Sequence, residues 1–299
     1  MANVKIHIID HNYFVPKVIA SYLIENGGQP VLIETGPDST FRKLEKSLNE
    51  LGYSMEDIRE VFVTHIHLDH SGAAWRFAKA GATIYVHPFG AKHLTDPTKL
   101  IASAQIIYKE RMEELWGQIQ PIPKEHIYAI EDGETLKIGS VEIKALETLG
   151  HASHHHSYVI DGVLFMGDIG GTRIDNGPVL PQTPPPDVNI EFCQQSIKKI
   201  RELDPALIYP THFGKSEEVK QHLDELESRL LEFTEWVGAR LREGKNEEDM
   251  VSEFENLLYE ILNEAKASPE LIKSYELADP FWMNVWGLVR YWRKFRLPT

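Results

Sequence analysis

A chain of 299 residues, 42% hydrophobic and 25% charged, is long enough to bury a core as one large domain or one domain with an appendage. Its formal charge of −14, from 31 basic and 45 acidic residues, argues against nucleic acid as substrate or partner, because phosphate binding draws on Lys and Arg. Cys193 stands alone, which excludes an intrachain disulfide and a thiolate metal cluster. No run approaches the roughly 18–20 apolar residues of a membrane span, and residues 1–5 lack a signal-peptide core, so a cytoplasmic protein with no membrane partner is expected.

Residues 4–9 and 18–24 read as strands, and Asn26-Gly27-Gly28-Gln29-Pro30 is a turn before a strand over 31–34. Phe41, Leu44, Leu48 and Leu51 recur at helical spacing, with Asp38 or Ser39 able to cap the helix and Gly52 to end it. The strand 61–64 runs straight into His65-Ile66-His67-Leu68-Asp69-His70. A short helix over about 72–80 and a strand over 83–86 follow, and the mostly helical stretch 88–117 reads as an insertion of the kind that walls a pocket. Strands return at 126–130, 135–138 and 141–147, and Asp161-Gly162 between two apolar runs is a hairpin signature. A Pro-rich loop over 178–186, a helix marked by Ile190, Ile197, Ile200 and Leu203, and a strand over 206–209 complete the pattern. Cys193 falls in that helix as a small packed side chain. Two runs of strands, each followed by a helix, predict an α/β protein with two packed sheets and helices outside them.

Beyond Lys215 the pattern is helical only, over 216–242, over 247–264, and again from Asp279-Pro280, where Pro suits the first turn. In the last helix Phe281, Val285, Leu288, Trp292 and Phe295 share a stripe, with Trp282, Trp286 and Val289 beside it. That face reads first as packing on the sheet domain; a pocket wall and a homodimer interface are its other uses. The expected division is a catalytic domain at 1–215 and a helical extension at 216–299.

In an extended segment side chains two apart share a face, so His65 and His67 can reach one ion and Asp69 and His70, past a bend, a neighbouring one. Imidazole and carboxylate suit zinc, iron or manganese. Three further strand ends carry a ligand type: Gly150-His151, Gly167-Asp168 and Thr211-His212. One His at a strand end is ordinary, but four ligand-bearing strand ends are not a coincidence.

The series HxHxDH, GH, GD and TH, in that order over residues 5–215, resembles the motif set of the metallo-β-lactamase superfamily. The resemblance implies an αββα sandwich, with metals at one edge between the sheets and a helical C-terminal appendage. It implies two divalent ions, Zn2+ first with Fe or Mn as alternatives. His65, His67 and His151 would hold one, Asp69, His70 and His212 the other, and Asp168 would bridge them. A hydroxide shared by such ions forms near neutral pH because bound water drops from a pKa of about 15.7 to about 7. It would attack an ester, thioester or lactone of a small molecule, with Asp69 orienting it and passing a proton to the leaving group.

Branches of the superfamily can be separated on single positions. His67 differs from the Glu of the di-iron flavoproteins, and Asp168 from the Cys of the β-lactamases proper. The acidic charge disfavours the RNA-processing members. Gly171 stands where acyl-homoserine lactonases carry Tyr. What remains is the group of small-molecule hydrolases that includes glyoxalase II-like thioesterases and lactonases. Arg173 is a candidate anchor for a substrate carboxylate, and Tyr13 and Phe14 are candidates for lining the pocket. Glu34 stands where many members carry Asp and can support the ligands from behind; among His154, His155 and His156, one, with His154 first, orients a ligand or lines the pocket. The alternatives are a persulfide dioxygenase-like enzyme, with one iron on His65, His151 and Asp168, and a non-catalytic metal-binding protein. His7, His11, His87, His93, His126 and His222 read as ordinary polar residues.

Overall fold

The structure is a computed structural model that describes residues 4–297. The chain divides into two compact units, one running to Glu147 and including His154–Phe165, the other comprising Thr148–Ser153 and the chain from Met166 onward.

In the first unit β1 (Lys5–Asp10), β2 (Ala20–Glu25), β3 (Val31–Ile33), β4 (Glu60–Phe62), β5 (Thr83–Val86) and β6 (Ile127–Ala129) form one sheet in sequential order. The first three strands pair antiparallel and the rest parallel. Parallel neighbours need crossovers. These are α1 (Phe41–Glu50), then α2 (Leu68–Ser71) with α3 (Ala74–Lys79), then α4 (Pro88–Thr95), α5 (Thr98–Tyr108) and α6 (Met112–Trp116). Phe41, Leu44 and Leu48 of α1 and Phe77 of α3 are buried in one cluster with Leu32, Val61 and Ile84 of the strands. The helix expected over about 72–80 is α3, and α2 is a further helical turn ahead of it. That turn begins at Leu68, so Asp69 and His70 are carried on it rather than on an open loop.

The second sheet of this unit has β7 (Thr135–Ile138), β8 (Val141–Glu147), β9 (His156–Ile160) and β10 (Val163–Phe165), each antiparallel to the next. Asp161 and Gly162 both take positive φ, 51° and 79°, as a two-residue hairpin turn requires. The sheets face each other through buried aromatics. Tyr158 meets Phe62 edge to face at 5.1 Å and donates its hydroxyl to the carbonyl of Val63 at 2.9 Å. Just beyond, the His156 amide donates to the Thr64 carbonyl at 2.8 Å, which ties the start of β9 to the end of β4.

The second unit holds α7 (Ile190–Leu203), β11 (Leu207–Tyr209), α8 (Val219–Arg242), α9 (Glu247–Glu264), α10 (Pro269–Ala278) and α11 (Phe281–Phe295). Helix α10 is an addition to the elements read from sequence: Ser268 accepts from the Leu271 amide as its cap, and Pro269 fills the first helical position. The α11 stripe is largely buried, with Phe281, Val285, Leu288 and Trp292 inside, but Phe295 is exposed. Phe281 meets Tyr259 of α9, and the Trp292 indole donates to the Thr234 carbonyl of α8 at 2.7 Å. Gly238 makes that approach possible, since a Cβ there would lie 2.0 Å from the Trp292 ring. Among the described residues no helix is long and apolar enough to cross a membrane.

Candidate metal centre

In the first unit two parallel strand ends deliver one group of side chains. The Glu34 amide, just past β3, donates to Phe62 at the end of β4, and Thr35 bonds the His70 carbonyl through both its amide and its hydroxyl. Glu34 takes a left-handed φ of 63°, which costs energy in a non-glycine residue and turns its buried carboxylate toward the ligand turn. That carboxylate accepts from the Thr64 amide, the Thr64 hydroxyl and Nδ1 of His70. Since the Thr64 hydroxyl donates to Glu34, it accepts from Nδ1 of His65 at 3.0 Å. One carboxylate therefore assigns the tautomers of two imidazoles and leaves the lone pair of each on Nε2. Nε2 of His65 and Nδ1 of His67 face each other at 2.8 Å, and the His65 and His70 rings lie 4.0 Å apart. His67 and Asp69 are the partly exposed members, Asp69 at 21%.

Beside this group His154 lies 5.6 Å from the His67 ring and accepts from the Ile66 amide at 3.5 Å, a supporting position. His155 is nearer still to His65, at 5.0 Å. His156, the next residue of the run, is paired by ring contact with His87 at 4.5 Å. His11 is buried between the hydroxyls of Thr40 and Ser21, and burial, then Lys43, then His70 lower its pKa to about 3. It packs on Gly36, where a Cβ would lie 2.1 Å from the imidazole.

Tyr13 and Phe14 fall differently. Tyr13 is buried and stacked on Trp116 at 5.9 Å, while Phe14 is 51% exposed and meets Tyr13 edge to face. Tyr108 of α5 packs on the other side of this cluster, with its ring 4.9 Å from Trp116. Burial first and the charge of Asp69 next raise the pKa of both Tyr13 and Tyr108, so both phenols stay protonated. The insertion thus supplies an aromatic wall beside Asp69, and Tyr108 and Trp116 are members that sequence reasoning did not single out.

In the second unit the Met166 amide donates to the Tyr209 carbonyl, which puts the segments leading to Asp168 and His212 side by side. His151 and His212 present Nε2 to the two oxygens of the buried Asp168 carboxylate, each at 3.4 Å. Nδ1 of His151 donates to the Gln182 carbonyl at 3.2 Å, which again leaves the lone pair on Nε2. Cys193 packs beneath this loop: a Cβ on Gly150 would lie 2.5 Å from its Sγ, and burial holds the thiol up at about 12, a packed side chain and no nucleophile. Arg173 is engaged elsewhere, donating to Ser216 at 3.1 Å and to Glu218 at 2.9 Å. Asp279, expected from sequence only as the cap of the last helix, makes no capping bond to it and is a buried carboxyl that accepts from Asn284. Burial raises it to about 7, with Asn284 and then His212 pulling it down and Asp168 pushing it up.

These groups fit divalent metal ions. Ligand atoms about 2.1 Å from a tetrahedral ion stand about 3.4 Å from one another, which is the spacing of Asp168 from its two imidazoles. Imidazoles with Nδ1 tied to a carboxylate or carbonyl and Nε2 carrying the lone pair are in the state that binds metal.

The sequence profile of the metallo-beta-lactamase superfamily matches residues 15–212. A metallo-beta-lactamase fold-containing protein of Sulfurisphaera tokodaii is 26% identical over 220 residues, 72% of this chain and 80% of that protein. A hydroxyacylglutathione hydrolase of Prochlorococcus marinus is 29% identical over 197 residues, 58% of this chain and 63% of that one. Among solved structures, a metallo-beta-lactamase family protein of Thermus thermophilus superposes with a TM-score of 0.69 at 20% identity, covering 98% of this chain and 94% of that one.

Proposed function

The chain belongs to the metallo-beta-lactamase superfamily, and from that premise we propose that it is a metal-dependent hydrolase of a small ester, thioester or lactone. In this reading, as membership of the family implies, His65, His67 and His151 would hold one ion, Asp69, His70 and His212 a second, and Asp168 would serve both. The observation that carries it is the Asp168 carboxylate, with an imidazole Nε2 at 3.4 Å from each of its oxygens, the disposition of a bridging ligand.

Divalent ions bound here supply activated water near neutral pH and Lewis-acid polarisation of a carbonyl oxygen. The chain's own residues do the rest. Glu34 holds His70 directly, and His65 through Thr64, in the lone-pair-outward tautomer. Asp69, the partly exposed acid, takes a proton from the attacking water and returns it to the leaving group. Tyr13 and Tyr108, protonated beside Asp69, keep hydroxyl donors there, and the exposed Phe14, edge to face on Tyr13, offers an apolar surface to an acyl group. Relatives that include a hydroxyacylglutathione hydrolase support a thioester among the substrates to try first.

The test is metal content per chain, measured by plasma mass spectrometry on protein purified without chelators or added metal, beside turnover of a panel of lactones, thioesters and phosphoesters. Two ions per chain and turnover of one carbonyl class that is lost in Asp69→Ala are expected. One iron per chain with oxygen consumption and no hydrolysis would move the assignment to an oxygenase.

A further inference from the structure

The helices after residue 218 make a set of contacts to the loop that holds His151, all within the second unit. The Tyr275 hydroxyl of α10 donates to the Pro178 carbonyl at 2.7 Å and accepts from the Ile174 amide at 3.1 Å. Gln182 donates through Nε2 to the Ala278 carbonyl at 3.1 Å, and Arg290 of α11 donates to the Pro186 carbonyl at 3.0 Å. Between these two, Oδ1 of Asn284 accepts from both the amide and the hydroxyl of Thr183, at 2.7 and 2.8 Å. The Asn284 amide cannot be turned the other way, because the Thr183 backbone N–H can only donate and so needs the amide oxygen; Nδ2 then donates to Oδ2 of Asp279 at 2.7 Å. Gly287 closes the packing, since a Cβ there would lie 1.9 Å from the Thr183 carbonyl oxygen.

The residue gripped by Asn284 follows directly on Gln182, whose carbonyl takes the Nδ1 proton of His151 at 3.2 Å. We propose that Asn284 is a positioning residue for the metal ligand His151, acting through the Thr183 backbone and the Gln182 carbonyl, so that the C-terminal helical segment is a working part of the metal centre. The inference rests on the proposed role of His151 as a ligand. Three features carry it. Asn284 and Thr183 are both buried, the bonds between them are short, and the amide that Asn284 holds belongs to the same peptide unit as the Gln182 carbonyl that faces His151. A carbonyl that sets an imidazole's tautomer and direction tunes its affinity for metal, and loss of such a partner costs about 10–100-fold.

The experiment is cobalt substitution of the metal-free protein, with the visible spectrum and stepwise affinity of wild type, Asn284→Ala and the double exchange Asp279→Asn with Asn284→Asp. The double exchange keeps an acceptor toward Thr183 and a donor–acceptor pair between positions 279 and 284. In Asn284→Ala one of the two binding steps should weaken about tenfold or more, with altered cobalt bands, and the double exchange should restore both. A purely structural Asn284 would lower the melting temperature of the metal-free protein and leave the cobalt spectrum and affinity of the folded fraction unchanged; that result overturns the proposal. If Asn284→Ala does not fold, Thr183→Val, which removes one of the two bonds to Asn284, is read by the same spectrum, and unchanged bands there overturn it equally. Failure of the metal-centre reading itself would show in wild type, as no cobalt bound at all, and would take the proposal with it.

Discussion

Nδ1 of His70 donates to Oε1 of Glu34 at 3.0 Å, and the same oxygen takes the proton of the Thr64 hydroxyl. Both partners are buried, so Glu34 acts on two imidazoles at once, one of them through a hydroxyl relay to His65 at 3.0 Å. Glu34→Gln replaces an acceptor-only group by an amide that cannot accept from all three donors. Metal affinity should fall about 10–100-fold, as for other lost partners of ligating imidazoles, with the apo fold retained. Competition against a chelating indicator measures it. Unchanged affinity in Glu34→Gln would remove the carboxylate from this role.

Metal removal should lower stability. The ligand groups are assembled only in the fold, so an ion at about 100 times its dissociation constant adds about 2.7 kcal/mol. Dialysis against a chelator should depress the melting temperature by several degrees, and zinc or manganese should restore it. Identical melting curves with and without metal would count against a preformed centre.

A pH dependence follows from two histidines outside the ligand groups. His222 of α8 donates Nε2–H to the Gly170 carbonyl at 2.8 Å, and burial lowers its pKa to about 4 against the pull of that carbonyl. His11 is lowered to about 3 by burial, then by Lys43 and His70. Both stay neutral in the fold while the unfolded chain protonates near 6.5. Their stabilisation is therefore complete above about pH 6.5. It declines as pH falls toward the folded values, by up to about 1.4 kcal/mol per pH unit for each His. In metal-free protein, His222→Gln should lose less stability than wild type between pH 6.5 and 5, by urea midpoints. Parallel curves would show that His222 is not a source of the acid sensitivity.

The fold and the candidate ligands were legible in the chain because those residues follow apolar strands directly. Val61-Phe62-Val63 into His65, and Val163–Met166 into Asp168, mark strand ends by the abrupt change from apolar to ligand type. The two-sheet core was legible for the same reason, through alternation and the Asp161-Gly162 turn. What was not legible depends on distant or backbone partners. The His151 acceptor is a carbonyl 31 residues away, and a carbonyl has no sequence signature. Helix α10 carries a short apolar face, and its signal was the Ser268-Pro269 start. Arg173 had the chemistry to anchor a substrate, but Ser216 and Glu218 engage it, and only the fold brings those residues within reach. Tyr108 lay in an irregular insertion whose folding against Tyr13 and Trp116 no periodicity announced.

Asp69 supplies the sharpest test of the proposed chemistry. Alone among the acids of the two ligand groups it reaches solvent, at 21% against 4% for Asp168, so it has access to both water and substrate. Its neighbours Tyr13 and Tyr108 are held protonated and cannot replace it as a base. Asp69→Asn keeps the size and an oxygen donor while removing the basic site. With metal supplied at saturation, kcat on the substrate identified by the panel should fall about 10²–10⁴-fold, the ordinary worth of a positioned acid–base group, with KM changed much less. Tyr108→Phe, which removes a hydroxyl and keeps the aromatic wall, should act mainly on KM. A loss of kcat in Asp69→Asn that extra metal fully reverses would show that the carboxylate serves only to hold the ion, and proton transfer would have to be assigned elsewhere.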